Sequence, residues 1–375
     1  MSEDLDAGVP DRPAGAAPLP NFYPLIMAGG RGTRFWPRSR KTRSKQVLRV
    51  LGEESLIRQT FLRLRPLAPP ERFLVVTNQN LREEIARQLP EVPDAQVIAE
   101  PAQRSTAACI GLAARLLLER DPEAVMGAFP ADHLVSRPEL FLRAVRRAWK
   151  AALSGGLVVL GIRPRGPETG YGYIEFARKG KSVRSQVPVR RFHEKPDLAT
   201  ARRYLRSGNF FWNSGMFLWK ASAIDQALRR HLPATSAALD QLRGTPGEER
   251  FARALRAAYP RCDNISIDHA VLEKAPNLIG FPCGDLGWND VGSWNAVYHM
   301  LPGDRQRNVA RSETLFHQST GNYVDAPGKL VALVGVNDLI VVDTADALLV
   351  ARRDCAQQVG EVVRKLEKQK REDLL

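Results

Sequence analysis

The stretch Tyr23-Pro-Leu-Ile-Met-Ala-Gly-Gly-Arg-Gly-Thr-Arg34 decides the fold of this 375-residue chain. Its first six residues form a short apolar run that predicts a buried strand, and the glycines that follow allow a sharp turn. Backbone N–H groups in such a turn can approach an anion without obstruction by side chains. The stretch matches neither the P-loop pattern nor the GxGxxG pattern of dinucleotide sites. We therefore expect a phosphate-binding loop of another kind.

Beyond this stretch, short apolar runs alternate with helical patterns as far as Gly161. That alternation predicts an α/β fold with a mixed, mostly parallel central sheet that is doubly wound by helices. Ligands of such sheets bind at the carboxyl ends of the strands. Both the glycine loop and the segment Pro130-Ala-Asp-His133 directly follow an apolar run, so we expect both at that edge.

The chain divides into three parts. Residues 1–20 predict a flexible tail, residues 21–302 carry the α/β pattern, and residues 303–375 predict a small β appendage with a terminal helix. In the appendage, Leu339–Val342 and Ala347–Val350 with their turns resemble successive coils. The tail lacks the basic start and apolar core of a signal peptide, and no apolar run approaches the length of a membrane span, so a cytoplasmic location is expected.

The basic residues are unevenly distributed. Lys+Arg 55 against Asp+Glu 41 gives a formal charge of +14, and eight basic residues with no acidic one lie between Arg31 and Arg49. Because these cations lie on a loop rather than on a helix face or among stacking aromatics, they favour a phosphorylated small molecule over nucleic acid. We expect neither nucleic acid nor a membrane as partner. The four widely spaced cysteines argue against a zinc site.

Two carboxylates are candidate ligands for Mg²⁺, which prefers oxygen ligands. Asp132 follows a predicted strand, and Asp290 lies in Trp288-Asn-Asp-Val-Gly-Ser-Trp294. They are far apart in the sequence, which leaves their convergence open. His133 is interpreted as a positioning or structural residue.

Three clusters combine polar and aromatic side chains in a way that suits a sugar, whose hydroxyls take carboxylate and amide partners. Each cluster alone is also compatible with an ion pair, a turn or a core aromatic, so their joint occurrence is the informative feature. The clusters are Thr169–Glu175, His193–Pro196 and Phe211–Met216.

Blocks in a fixed order along nearly the whole chain resemble the mannose-1-phosphate guanylyltransferases, a family of sugar nucleotidyltransferases. The blocks are Gly29–Arg40 (Gly-Gly-Arg-Gly-Thr-Arg-Phe-Trp-Pro-Arg-Ser-Arg), Lys45-Gln46, Phe129–His133, Thr169–Glu175, Glu194–Asp197, Trp212–Trp219, Ser266–Lys274, Trp288–Trp294 and Gly335–Thr344. The resemblance implies a Rossmann-like nucleotidyltransferase domain over residues 21–302 and a β-helix-like appendage.

The resemblance also implies an activity and a set of site residues. It implies that GMP is transferred from GTP to α-D-mannose 1-phosphate by Mg²⁺-assisted in-line attack, which gives GDP-mannose and pyrophosphate. The residues implied to bind the nucleotide are Ala28, Gly29, Gly30, Gly32, Thr33, Arg34, Glu100, Ser105, Thr106 and Asp132. Those implied to bind the sugar phosphate are Gly172, Glu194, Lys195 and Asn213. Those implied to act in catalysis are Arg34, Lys45, Asp132 and Asp290, the two aspartates also as metal ligands.

Two positions depart from the family pattern, and two alternatives stay open. Ser44 stands where Pro is usual and Ser105 where Asn is usual, which leaves the strictness of guanine and mannose selectivity open. The chain is alternatively a nucleotidyltransferase for another sugar phosphate or base, or a non-catalytic nucleotide-sugar-binding subunit. The β appendage is a candidate surface for a homodimer.

Overall fold

The structure, a computed structural model, describes residues 17–177 and 186–375. Most of the tail predicted over residues 1–20 lies outside the described residues. Leu19, near the end of that tail, is buried, and its amide donates to the Leu67 carbonyl at 2.8 Å. The packed part of the chain therefore begins before residue 21.

The α/β part carries eleven strands and nine helices among the described residues. In chain order they are β1 (Phe22–Ala28), α1 (Leu56–Leu64), β2 (Leu74–Asn78), α2 (Arg82–Gln88), β3 (Val97–Glu100), α3 (Ser105–Arg120), β4 (Val125–Pro130), β5 (Leu134–Val135), α4 (Pro138–Ala152), β6 (Leu157–Ile162), β7 (Tyr173–Phe176), β8 (Val187–His193), α5 (Leu198–Ser207), β9 (Phe210–Lys220), α6 (Ala221–His231), α7 (Pro233–Leu239), α8 (Glu249–Ala258), β10 (Leu278–Cys283), β11 (Trp288–Asn289) and α9 (Trp294–Met300). The appendage adds β12 (Val309–Ala310), β13 (Thr314–His317), β14 (Tyr323–Asp325), β15 (Val331–Val334), β16 (Leu339–Asp343), β17 (Leu348–Arg352) and α10 (Val359–Lys368).

The central sheet has the strand order β3-β2-β1-β4-β9-β6-β10-β8-β7. Its pairings give seven of the nine strands one direction and reverse β8 and β9. The predicted α/β fold with a mixed, mostly parallel sheet is confirmed. The eleven-residue strand β9 is inserted antiparallel between β4 and β6.

Two hydrophobic cores cover the two faces of this sheet, and a third lies beside it. The first core includes residues of α1, α2, α4 and α5, and the second includes residues of α3, α6, α7 and α8. The third contains Trp36, Trp294, Tyr323 and Val363. It is therefore shared by residues on both sides of the predicted boundary between 302 and 303.

The appendage is built from parallel coils that end in a hairpin. Strands β12, β14 and β16 pair in parallel, as do β13 and β15. The two runs expected to be successive coils are instead β16 and β17, which pair antiparallel. The turn between them is too short for a parallel return, because the Thr344 amide donates to the Ala347 carbonyl at 2.9 Å and closes it tightly.

No helix in the described ranges is both long enough and apolar enough to cross a membrane.

Two single-turn helices follow the glycine turn and fix its geometry. They are the 3₁₀ turns Thr33–Phe35 and Lys45–Val47. Gly32 begins the first with φ +63°, and a Cβ at this position would lie 2.7 Å from both Cβ and N of Lys45. Only glycine fits, because the backbone is left-handed and Lys45 is too close for a side chain. The glycine turn and Lys45 are therefore held in a fixed relation.

Ser44 directly precedes the second 3₁₀ turn. Its φ is −81°, close to the value that proline imposes. Its hydroxyl is buried and has no hydrogen-bond partner among the described residues. The backbone here accepts the proline that the family pattern carries, and the serine leaves a polar group unpaired.

Ser44→Pro should raise the free energy of unfolding by about 0.4–1 kcal/mol. Proline restricts the unfolded chain and removes the buried unpaired hydroxyl. Urea unfolding measures the difference, and Ser44→Ala is the matched control, because it removes the hydroxyl without restricting the backbone. A lower free energy of unfolding for Ser44→Pro than for Ser44→Ala would contradict the prediction.

Candidate active site

Lys45 lies at the centre of the candidate site. Its Nζ is 2.7 Å from Asp132 Oδ2 and donates to the carbonyls of Asp290 at 2.8 Å and Val291 at 3.1 Å. These three acceptors match the three N–H donors of an ammonium group, and the side chain is only 8% exposed. The structure thus brings together Lys45, Asp132 and the main chain of Asp290, whose convergence the sequence left open.

Asp132 is held as an anion beside this ammonium. It lies two residues beyond the end of β4, at the carboxyl edge of the central sheet. Burial is the largest single effect and opposes ionisation, but the Lys45 ammonium and the hydrogen bonds to the carboxylate together outweigh it and hold the pKa of the Asp132 carboxyl below its ordinary value. The site therefore presents a carboxylate at neutral pH.

His133 is a packing residue beside Asp132. Trp288 Nε1 donates to His133 Nδ1 at 3.3 Å, and the two rings meet edge to face at 5.3 Å. Burial lowers the pKa of His133, so its ring is neutral at pH 7 and carries its proton on Nε2. This agrees with a positioning role.

Asp290 is oriented by Tyr171, a residue that sequence reasoning did not assign to the site. The Tyr171 hydroxyl donates to Asp290 Oδ1 at 2.8 Å. The Tyr171 ring packs edge-on against Trp212 at 5.1 Å and Trp288 at 5.3 Å. Burial raises the pKa of Tyr171, which keeps the hydroxyl protonated as a donor. In the sequence, Tyr171 could have been found from its position next to Gly172 in the block Thr169–Glu175.

The two aspartates fit a divalent cation that completes its coordination with water and phosphate. Lys45 engages Oδ2 of Asp132 and Tyr171 engages Oδ1 of Asp290, so each carboxylate keeps its second oxygen for a ligand. Mg²⁺ usually takes one or two carboxylates together with waters and substrate phosphates. The described part of the chain contains no cluster of three or more acidic, histidine or cysteine side chains suited to a metal ion. The donor set therefore suits a substrate-shared cation rather than an all-protein cage.

Gly172, Glu194, Lys195 and Asn213, the residues implied to bind a sugar phosphate, lie together. A Cβ on Gly172 would lie 2.5 Å from Glu194 Oε2 and 3.4 Å from Asn213 Cβ. Glycine is therefore needed for the Glu194 carboxylate to approach the backbone. Lys195 Nζ pairs with Glu194 Oε1 at 2.9 Å and is mostly exposed.

Asp268 joins this cluster and was not assigned from the sequence. Asn213 Nδ2 donates to Asp268 Oδ1 at 2.9 Å, and Asn213 Oδ1 accepts from the Gly215 amide at 3.0 Å. These two bonds fix the amide, which retains one N–H for a ligand, and leave Asp268 Oδ2 as a further acceptor. Burial raises the pKa of Asp268 to about 6. In the sequence, Asp268 could have been found as an acidic residue beside the apolar residues of the block Ser266–Lys274.

A cavity of about 230 Å³ opens beside the glycine turn. Its lining includes residues at the carboxyl ends of β1, β2 and β3, namely Gly29, Asn78 and Glu100. The Tyr259 hydroxyl donates to Glu100 Oε1, and a Cβ on Gly29 would lie 3.2 Å from Glu100 Oε2. Burial raises the pKa of Glu100 to about 7. The cavity thus combines the glycine turn with a partly buried carboxyl group.

Side-chain donors hold the main chain of the glycine turn. Gln46 Nε2 and Thr77 Oγ1 donate to the Ala28 carbonyl at 2.7 Å and 3.0 Å. A Cβ on Gly30 would meet no atom within 4 Å. Gln46 Nε2 also donates to the Gly30 carbonyl at 3.1 Å, so the turn is anchored at Ala28 and Gly30 while the space beside the Gly30 Cα stays open.

Ser105 and Thr106 stand at the start of α3. Ser105 has φ +57°, a left-handed conformation that the family's asparagine adopts more readily than serine. The Thr106 hydroxyl accepts from the Ile267 amide at 2.9 Å and so ties α3 to the segment that carries Asp268. The departure at Ser105 therefore affects backbone strain as well as side-chain length.

Half of the cations in the basic segment Arg31–Arg49 form ion pairs with the appendage, and three of these, Arg31, Arg40 and Lys41, also line the cavity. Four of its eight cations pair with carboxylates of the appendage, and Arg34 donates to a neutral amide there at 2.6 Å. The pairs are Arg31–Glu367, Arg38–Asp325, Arg40–Asp346 and Lys41–Glu372. Local clustering reveals a charge excess but not the acidic side chains, distant in the sequence, that neutralise it.

Comparison with known proteins identifies the family. The family described as "Nucleotidyl transferase" matches residues 23–307, and "MannoseP isomerase/GMP-like beta-helix domain" matches residues 316–366. The chain is 39% identical over 348 residues to the Xanthan biosynthesis protein XanB of Xanthomonas campestris, covering 92% of this chain and 73% of the relative. It is 39% identical over 355 residues to the mannose-1-phosphate guanylyltransferase ManC of Salmonella typhimurium, again covering 92% and 73%.

A solved structure shows the same architecture. The crystal structure titled mannose-1-phosphate geranyltransferase from Thermus thermophilus superposes with a TM-score of 0.82 at 35% identity, covering 92% of this chain and 99% of that one. Nucleotidyltransferases of this kind generally use a divalent metal ion. The family resemblance and the β-helix-like appendage are thereby confirmed. The chain belongs to the mannose-1-phosphate guanylyltransferase family of nucleotidyl transferases.

Proposed function

We propose that this enzyme transfers GMP from GTP to α-D-mannose 1-phosphate and releases pyrophosphate. The observation that carries the proposal is the position of the Lys45 ammonium. The ammonium contacts Asp132 and Asp290, and the main chain and Cβ of the same residue lie directly beside Gly32 of the glycine turn. The cavity at Glu100 and the cluster around Asn213 provide separate places for a nucleotide and a sugar phosphate.

In the reaction, a phosphate oxygen of mannose 1-phosphate attacks the α-phosphorus of GTP. The new P–O bond forms as the bond to the β-phosphate bridging oxygen breaks, so no protein nucleophile is needed. The work of the protein is positioning and charge neutralisation. Lys45 exchanges its bond to Asp132 for one to a phosphate oxygen while the carbonyls of Asp290 and Val291 keep it in place.

We propose that Mg²⁺ is the divalent ion and that Asp132 and Asp290 hold it. When bound, Mg²⁺ withdraws charge from the phosphate oxygens as a Lewis acid. The chain's own part is to orient the two carboxylates, Asp132 through Lys45 before the phosphates bind and Asp290 through Tyr171.

Glu100 supplies the base-reading group in this proposal. Guanine presents two adjacent N–H donors on its Watson–Crick edge, and a carboxylate can accept both, whereas adenine presents an acceptor at the central position. The Tyr259 hydroxyl holds the carboxyl group at the cavity wall, where the absence of a side chain on Gly29 leaves room for it.

Asp268 and Glu194 supply acceptors for the sugar hydroxyls, and Asn213 supplies a donor. The Asn213–Asp268 bond holds both side chains in one orientation. A hydroxyl placed differently in another sugar would leave a buried polar group unpaired, which is a strong basis for selectivity. A homodimer through the appendage stays a prediction, and we expect neither nucleic acid nor a membrane as partner.

A matrix of nucleotides against sugar phosphates tests the proposed function. GTP, ATP, UTP and dTTP are each combined with mannose, glucose and heptose 1-phosphates, and pyrophosphate release is measured. Pyrophosphate release with GTP and mannose 1-phosphate should exceed that with every other pair by at least about tenfold.

Lys45→Met should lower kcat by about 10²–10³-fold, because an ammonium at the developing charge is lost.

Lys150→Met, on the exposed end of α4, is the matched control and should retain normal turnover. Thermal melting checks that both variants fold. Preference for another pair would replace the substrate assignment, and nucleotide binding without turnover would favour the non-catalytic alternative.

The pH dependence of kcat/KM for GTP tests the role of Glu100. With its pKa raised to about 7, Glu100 is protonated at lower pH in the free enzyme and then cannot accept both guanine donors. We expect kcat/KM to fall about tenfold per pH unit below this value. Glu100→Gln should lower kcat/KM for GTP about 10²-fold and abolish this pH step, whereas the ionisations of the substrates remain. An unchanged pH profile in Glu100→Gln would refute the role.

Asp268→Asn tests the sugar site. The variant replaces an acceptor oxygen by an amide donor, so KM for mannose 1-phosphate should rise about tenfold while KM for GTP stays within about twofold. Glu273→Gln removes an exposed carboxylate from the same segment and is the matched control. Steady-state kinetics with each substrate varied separately decides, and an equal rise in both KM values would contradict a sugar-specific role.

A further inference from the structure

The end of the appendage covers the glycine turn. Helix α10 lies against the 3₁₀ turn Thr33–Phe35: a Cβ on Gly360 would lie 3.5 Å from Thr33 Oγ1 and 3.9 Å from Arg34 Cγ. Trp36 Nε1 donates to the Leu374 carbonyl at 3.0 Å. Val363 and Leu375 belong both to the shared third core and to the lining of the nucleotide cavity. The turn and the end of the appendage therefore form one packed unit.

The two arginines of the turn have acceptors of different strength in this unit. Arg31 pairs with the Glu367 carboxylate, whereas Arg34 Nη1 donates to Gln357 Oε1 at 2.6 Å. A hydrogen bond from a guanidinium to a neutral amide is weaker than one to a carboxylate or a phosphate. Arg34 is therefore held by the acceptor that a phosphate displaces most easily.

The cavity shows why this difference matters. Arg31 is among its lining residues, while the Arg34 guanidinium is turned towards Gln357 on the appendage. A triphosphate in the cavity competes with the Gln357 amide oxygen for the Arg34 guanidinium, whose Nη1 that oxygen engages. A neutral acceptor at position 357 keeps this exchange favourable, and a carboxylate there would oppose it.

We propose that Gln357 is a positioning residue that holds Arg34 away from the cavity in the nucleotide-free enzyme and releases it when GTP binds. The inference rests on the proposed function in so far as GTP is the ligand. It assigns to the appendage a direct part in setting nucleotide affinity, through one neutral hydrogen bond.

The affinity of the full-length enzyme for GTP, measured by calorimetry with no sugar phosphate present, tests this inference. Gln357→Glu should raise Kd for GTP about threefold to fivefold, because Arg34 then leaves a charge-assisted bond that is exposed to solvent. Gln358→Glu is the matched control: the same substitution at the next, exposed position should change Kd by less than about twofold. Gln357→Met, which removes the acceptor, should leave Kd unchanged or lower it. In an Arg34→Gln background, Gln357→Glu should have no further effect.

Two outcomes would overturn the inference. Equal effects of Gln357→Glu and Gln358→Glu would show a general charge effect. A rise in Kd with Gln357→Met would show that the Arg34–Gln357 bond persists in the complex. A wild-type enzyme that binds no GTP would instead refute the proposed function, and thermal melting of each variant identifies any loss of folding.

Discussion

The three hydrogen bonds of the Lys45 ammonium are the interaction on which the candidate site depends. They join a carboxylate beyond β4, Asp132, to the two carbonyls of the turn at Asp290 and Val291. A buried ammonium is tolerated only where its donors are paired, so the two segments cannot shift independently. The position of Lys45 also restricts the glycine turn, because the Gly32 backbone lies so close to Lys45 that a Cβ on Gly32 would clash with it.

The turn after β11 adopts a strained backbone conformation in this geometry. Val291 is buried and has φ +48°, a conformation that a β-branched residue adopts at a cost of about 1–3 kcal/mol. The Asn289 side chain, which accepts from the Val291 amide at 2.7 Å, and Lys45, which donates to the Val291 carbonyl, hold it there. The result is that Asp290 turns its carbonyl towards Lys45 and its carboxylate towards Tyr171. One residue thus fixes the cation with its main chain and keeps its side chain for a ligand.

The features that could be predicted from the sequence are those that depend on residues close together in the chain. The glycine turn, Lys45, Asp132 and the strands that precede them follow from short apolar runs and turn residues. The insertion of β9 between β4 and β6 could not be predicted, because strand order depends on contacts between distant segments. Asp268 was missed for the same reason: its partner Asn213 lies on another element, and only the fold brings them within 2.9 Å.

Acidic residues of the appendage offset the positive charge of the basic segment Arg31–Arg49. Eight cations without counterions would repel one another, and the appendage relieves this with acidic partners of graded exposure. Asp325 receives two hydrogen bonds from Arg38 and is 8% exposed, whereas Glu372, the partner of Lys41, is 69% exposed. Buried bidentate pairs are costly to break and exposed single pairs contribute little. Arg38 therefore fastens the appendage to the α/β part, while cations nearer the cavity keep partners that a phosphate can replace.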